Sequence, residues 1–138
     1  MGIYADKDKP ATVQMLKDGQ ISTIGNATMM AYDAYNDQLY MINAPFGGDK
    51  EYKVYNLKNG QTTTFLTNPD IFSPYSLAVN PVNGDVFITS STKNPDTGYA
   101  DYTADCKLYR YTSAGILLGT YDCGVNPGTI VCDSYYQK

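Results

Sequence analysis

The sequence predicts an all-β chain whose short antiparallel hairpins group into repeated four-stranded sheets. Three observations predict it. Short runs rich in Tyr, Val, Ile, Thr and Phe recur through the 138 residues, and these residues suit a pleated surface. Between the runs lie Asp18-Gly19, Asn36-Asp37, Asn59-Gly60, Asn83-Gly84 and Ala114-Gly115, dipeptides with the Gly or Asn that tight hairpins need for positive φ. The chain also matches itself. Met30-Ala31-Tyr32-Asp33 aligns with Leu77-Ala78-Val79-Asn80 and with Ile130-Val131-Cys132-Asp133, while Leu39-Tyr40-Met41 aligns with Val86-Phe87-Ile88.

Repeats of roughly 40–50 residues with four strands are the signature of a β-propeller blade. Neighbouring blades cover both faces of each sheet, so the strands read apolar on both sides. Leu77-Ala78-Val79 and Val86-Phe87-Ile88 read that way. A β-sandwich is the runner-up, but it demands cleaner in–out alternation and leaves the internal match unexplained.

In chain order, the expected elements form one module over residues 1–138. A blade remnant over 1–26 holds a second strand (2–6), a third (12–16) and a fourth (20–24). A helical turn over 11–17 is the weaker reading there, because Thr12, Val13 and the following Asp-Gly favour a strand. A blade over 27–67 and another over 73–123 follow. A lone first strand over 128–136 closes the chain. That makes about three blades, whereas closed propellers use roughly 4–8. The chain is then either part of a larger propeller or half of a six-bladed ring. In the ring, each of two copies lends residues 128–135 to its partner's opening blade, a homodimer by strand exchange.

Composition narrows the function. Hydrophobic residues are 43% and charged residues 17%, a globular balance, and the net charge is −4. Such a surface offers no general attraction to nucleic acid or to an anionic membrane. No apolar run approaches the ~20 residues of a membrane span. Histidine is absent, which removes Ser-His-Asp triads, Cys-His pairs and His-bearing zinc sites. The opening MGIYADKDKP has no basic start and no apolar stretch, so it reads as mature protein or as the interior of a longer chain.

Strand alternation puts the tight turns at one end of the sheets and the long connections (43–51, 67–74, 90–105 and 123–127) at the other. A binding surface is expected at that second end, because function concentrates in loops on a rigid scaffold. The longest connection holds Asn94, Asp96, Tyr99, Asp101, Tyr102 and Asp105. Its oxygens suit Ca²⁺, and its tyrosines, with Tyr75, offer flat apolar faces with polar tips for sugars or peptides. Against this stands the plainer reading of a solvated acidic loop, with no cofactor at all. Asp33, Asn80 and Asp133 each end a first strand, where Asx side chains bond their own backbone. In the last hairpin Cys106 and Cys123 fall opposite each other, the spacing of a cross-strand disulfide if the Cβ geometry allows. Cys132 reads as a small buried hydrophobe.

Residues 104–131 carry a further signal. Leu108-Tyr109-Arg110-Tyr111, Gly115 and Gly124-Val125-Asn126-Pro127-Gly128-Thr129-Ile130 resemble the closing hairpin and the G-x-x-P-x-x-[IV] segment of YncE-like bacterial propellers. Leu77-Ala78-Val79-Asn80-Pro81 with Gly84-Asp85-Val86-Phe87 is similar to the blade-opening pattern of that group, whose members include surface and periplasmic proteins of unknown function. The resemblance implies an extracytoplasmic location and supplies no catalytic residue. The functional expectation is a non-enzymatic recognition or scaffold module that takes a glycan, peptide or protein on its long-loop face. The alternative is an enzyme or metal-binding propeller using carboxylates on the same face. A third reading is purely structural, with function in further blades.

Overall fold

The computed structural model describes residues 6–133, and among them every regular element is a strand. Asp18 and Gly19 both take positive φ, 51° and 75°, as a two-residue type I′ turn requires. They fold β1 (Thr12–Lys17) onto β2 (Gln20–Asn26) as an antiparallel hairpin. A middle sheet follows in chain order: β3 (Met29–Asp33), β4 (Gln38–Asn43), β5 (Glu51–Asn56) and β6 (Thr62–Leu66). The third sheet holds β7 (Ser73–Val79), β8 (Val86–Lys93), β10 (Cys106–Tyr111) and β11 (Leu117–Cys123), with the short β9 (Ala100–Asp101) beside the end of β8. All strand pairs are antiparallel.

The turns at 36–37, 59–60 and 83–84, expected to be two residues long, are parts of longer loops opened by an Asx side chain. Asp33 Oδ1 accepts the amides of Tyr35 and Asn36 at 3.0 and 3.1 Å. Asn56 Oδ1 accepts those of Lys58 and Asn59 at 2.9 and 3.2 Å, and Asn80 Oδ1 accepts that of Val82 at 2.9 Å. Short polar side chains bond backbone two residues on, so they set these loops before a positive-φ residue, Asp37, Gly60 or Gly84, closes them. The expected Asx role of Asp33 and Asn80 is thus met.

Within the middle sheet, β4 is buried on both faces. Tyr40, Met41 and Ile42 are each 1% exposed and alternate in direction. Tyr40 and Ile42 pack with Tyr52, Leu66, Val86, Ile88 and Tyr111 against the third sheet. Met41 packs with Val13 and Tyr55 against the hairpin. The sheets therefore stack as hairpin, middle sheet, third sheet, with β3 beside β7. Burying a large apolar side chain contributes about 1.5–3 kcal/mol, so these residues hold the stack.

The turn ends also interlock. Gly115 sits at φ 82°, and a Cβ there would lie 2.7 Å from the Phe65 carbonyl oxygen on β6. The Tyr40 hydroxyl donates to the Ser113 carbonyl at 3.2 Å and accepts from Gln38 Nε2 at 2.8 Å.

One expected element is absent. The closing strand over 128–136 does not form over 128–133, which pairs with no strand among the described residues; 134–136 lie outside the described residues, as do 2–5 of the expected strand 2–6. A strand satisfies its N–H and C=O groups only beside a neighbour, and among the described residues this segment has none.

Candidate functional site

The long connections meet at one end of the stack and enclose an open cleft of about 1190 Å³. Its walls come from the β4–β5 connection, the segment leading into β7, and the tip of the β8–β9 hairpin. Phe46, Phe72, Tyr75, Tyr99 and Tyr102 line it, with Lys50 and Asp6 as charged groups.

Local sequence explains how each aromatic reaches the cleft. Pro45-Phe46-Gly47-Gly48 closes a turn in which the Gly48 amide donates to the Pro45 carbonyl at 3.2 Å and Gly47 takes φ 72°. That turn lifts Phe46 into solvent. Gly48 has no room for a side chain, since a Cβ would lie 2.8 Å from the Pro45 ring and 3.3 Å from Lys7 Cβ. The Lys7 amide donates to the Phe46 carbonyl at 3.3 Å, pinning residues 6–9 beside this turn. Across the cleft, Lys50 Nζ lies 5.6 Å from the centre of the Phe72 ring, a cation–π separation. Tyr75 stands on β7 with its ring against Gly128. Tyr102 is held through its carbonyl, which accepts from Asn126 Nδ2 at 3.3 Å.

Residues 90–105, expected to form one open acidic connection, are largely hairpin. β8 runs on to Lys93, and Thr92 and Lys93 pair with Asp101 and Ala100. Asn94 starts the turn between them: its Oδ1 accepts the amides of Asp96 and Thr97 at 2.9 and 3.1 Å, and Gly98 takes φ 76°. Asp101 Oδ1 accepts the Thr103 amide and hydroxyl, each at 2.8 Å, and the Ala104 amide at 3.2 Å. These donors, the Thr103 amide foremost, hold the Asp101 carboxyl below its ordinary range. Asn94 Oδ1 and Asp101 Oδ1 thus serve the backbone of their own loops. Among the described residues no three His, Cys, Asp or Glu side chains converge as metal ligands.

Of the residues singled out in the sequence, Tyr75, Tyr99 and Tyr102 come together in the cleft, while Asn94, Asp96, Asp101 and Asp105 do not line it. Phe46, Phe72 and Lys50 went unrecognised. An aromatic between Pro and Gly-Gly at 45–48 is the signal that marks Phe46 as a loop tip.

Cys106 and Cys123 are register partners, as the spacing predicts, yet both thiols are free. Directly opposed Cβ atoms stand about 4.5–5.5 Å apart, whereas a disulfide wants about 3.5–4.5 Å. Cys106 Sγ instead faces the Ala104 carbonyl at 3.9 Å. Burial, then the neighbouring Cys106, Asp105 and Asp122, push the Cys123 thiol up from its ordinary value.

Compared with protein-family models and with curated proteins, the chain matches none.

Proposed function

We propose that this chain is a non-enzymatic recognition module of the β-propeller type, and that the aromatic cleft at its long-loop end binds a glycan chain. The observation that carries the reading is the gathering of Phe46, Phe72, Tyr75, Tyr99 and Tyr102 around one open cleft. Aromatic rings offer broad apolar faces, and tyrosine adds a polar tip. A pyranose presents the matching surface, an apolar C–H face rimmed by hydroxyls. Ligand sites are commonly apolar clefts with a few placed polar groups, and Lys50 and Asp6 supply those. The blade reading is supported by the repeated four-strand order of the middle and third sheets and by apolar packing on both faces of β4. The resemblance of residues 104–131 to YncE-like propellers supports an extracytoplasmic setting, where glycans are abundant.

The test is an oligosaccharide array spanning β-linked glucose, galactose and N-acetylglucosamine, with hits measured by calorimetry. Tyr99→Ala and Tyr102→Ala are expected to weaken binding about tenfold or more each, equivalent to roughly 1.4 kcal/mol. Both side chains are exposed, so thermal stability should stay unchanged. No glycan bound, or binding indifferent to both substitutions, overturns the reading. Capture of extended peptides alone would assign the cleft to protein recognition.

A further inference from the structure

The two ends of the stack are unfinished in complementary ways. Met30 and Tyr32 on β3 pair with Met41 and Leu39 on β4, so they face the hairpin side. They remain 59% and 55% exposed. With Met15, Leu39, Tyr55 and Leu57 they line an apolar groove of about 330 Å³. The equivalent residues of the next repeat, Leu77 and Val79, are packed into the core, because β3 lies alongside β7. Ala31 is the residue of β3 between Met30 and Tyr32 and points the opposite way, as does Met29, which packs into that core. Beside β3 itself, among the described residues, no strand performs this covering role.

At the far end, the segment after β11 lies where such a strand would start. Ile88 points into the core, so Thr89 points out from the face of the third sheet turned away from the middle sheet. The Pro127 carbonyl accepts from Thr89 Oγ1 at 3.0 Å and from Ser76 Oγ at 2.8 Å. The segment beyond it, Ile130-Val131-Cys132-Asp133, is the third copy of the β3 and β7 motif. Val131 occupies the Ala31 place and is 83% exposed. It lies four residues beyond Pro127, a reach of about 14 Å at 3.3–3.6 Å per residue. Two packed sheets, each about 10 Å deep, separate Pro127 from the groove of its own chain.

We propose that residues 128–133 of one copy form the strand that fills the Met30–Tyr32 groove of a second copy, with Val131 lying over Met30 and Tyr32. The exchange is reciprocal, so one rotation closes both ends, as an isologous dimer requires. This assembly rests on the blade reading but not on the aromatic cleft, which one chain builds by itself.

Light scattering of the 138-residue chain at micromolar concentration should return twice the 15.2 kDa chain mass. Val131→Asp and Met30→Glu should each return the single-chain mass with the far-UV spectrum of a folded β chain, short of the exchanged strand. Mixing the two variants should restore dimers, because each mixed pair keeps one intact junction. A single-chain mass for the unsubstituted protein overturns the proposal, as does a dimer that survives Val131→Asp or deletion of 128–138. Two monomeric variants that do not associate on mixing also overturn it. Glycan binding by a monomer would leave the cleft reading standing while removing this one.

Discussion

Three glycine-to-alanine substitutions separate backbone strain from close packing in this fold. At Gly124 a Cβ would meet nothing within 4 Å and φ is not positive, so Gly124→Ala should be neutral or slightly stabilising. Gly19 also has open space around it but sits at φ 75°. Holding an alanine in the left-handed region costs roughly 1–2 kcal/mol, which sets the expected loss for Gly19→Ala. Gly115 combines φ 82° with a Cβ position 2.7 Å from the Phe65 carbonyl oxygen and 3.3 Å from Leu66 Cδ2. The first of these contacts is backbone and cannot rotate away, so the β10–β11 turn must lift off β6. Overpacking of this kind costs about 1–3 kcal/mol, giving Gly115→Ala a total near 2–5 kcal/mol. Urea unfolding at one fixed protein concentration, followed by tyrosine fluorescence, measures all three. A Gly115→Ala loss within about 0.5 kcal/mol of the Gly19→Ala loss would refute the packing term, since additive errors at independent sites are of that size.

The other predictions concern buried hydroxyls. Burial, reinforced by the Asp33 carboxylate, pushes the Tyr40 hydroxyl up to about 12, above the ~10 of an unfolded tyrosine. Its contribution is therefore complete below pH 10 and lost as pH rises towards 12, and burial shifts Tyr52 in the same direction. Unfolding midpoints should fall steeply above pH 10. Tyr40→Phe should cost about 1 kcal/mol at neutral pH while flattening part of that alkaline fall; an unchanged slope would remove Tyr40 as its source. Thr89→Val deletes one of the two hydrogen bonds that hold the Pro127 carbonyl. Amide exchange should accelerate over 124–128 and stay constant in β4, and uniform acceleration would mean that the bond supports the whole stack.

Strand positions were legible because they depend on local chemistry. The β-rich runs and the internal repeat placed β3 to β8, β10 and β11, and the Asp18-Gly19 turn took the form its residues demand. Loop shape was less legible because side chains compete with backbone for the same donors. Asn94 and Asp101 suggested metal ligands in sequence, and the structure shows their oxygens accepting amides of their own loops, an engagement that spacing does not reveal. The register of Cys106 against Cys123 followed from counting residues, but whether the sulfurs join depends on Cβ separation and side-chain direction, which no count supplies. Of the cleft, the tyrosines were visible as loop aromatics. Phe46, Phe72 and Lys50 were not, because their meeting depends on how two sheets stack.

The stack divides its labour between its two ends. At the turn end, Asp33, Asn56 and Asn80 bond their own backbone, Gly115 sits against β6, and Tyr40 ties to Ser113. The first three shape the loops, and the last two fix how the middle and third sheets lie against each other. At the other end, the same stacking brings Phe46, Phe72 and the three tyrosines to one cleft, where exposed rings such as Tyr99 add little to the core. A substitution at the turn end should therefore lower stability and disturb the cleft only through sheet movement. One at the cleft should alter binding at constant stability. Loss of binding in Tyr99→Ala accompanied by equal loss of stability would mean that the aromatic cluster is packing rather than a site.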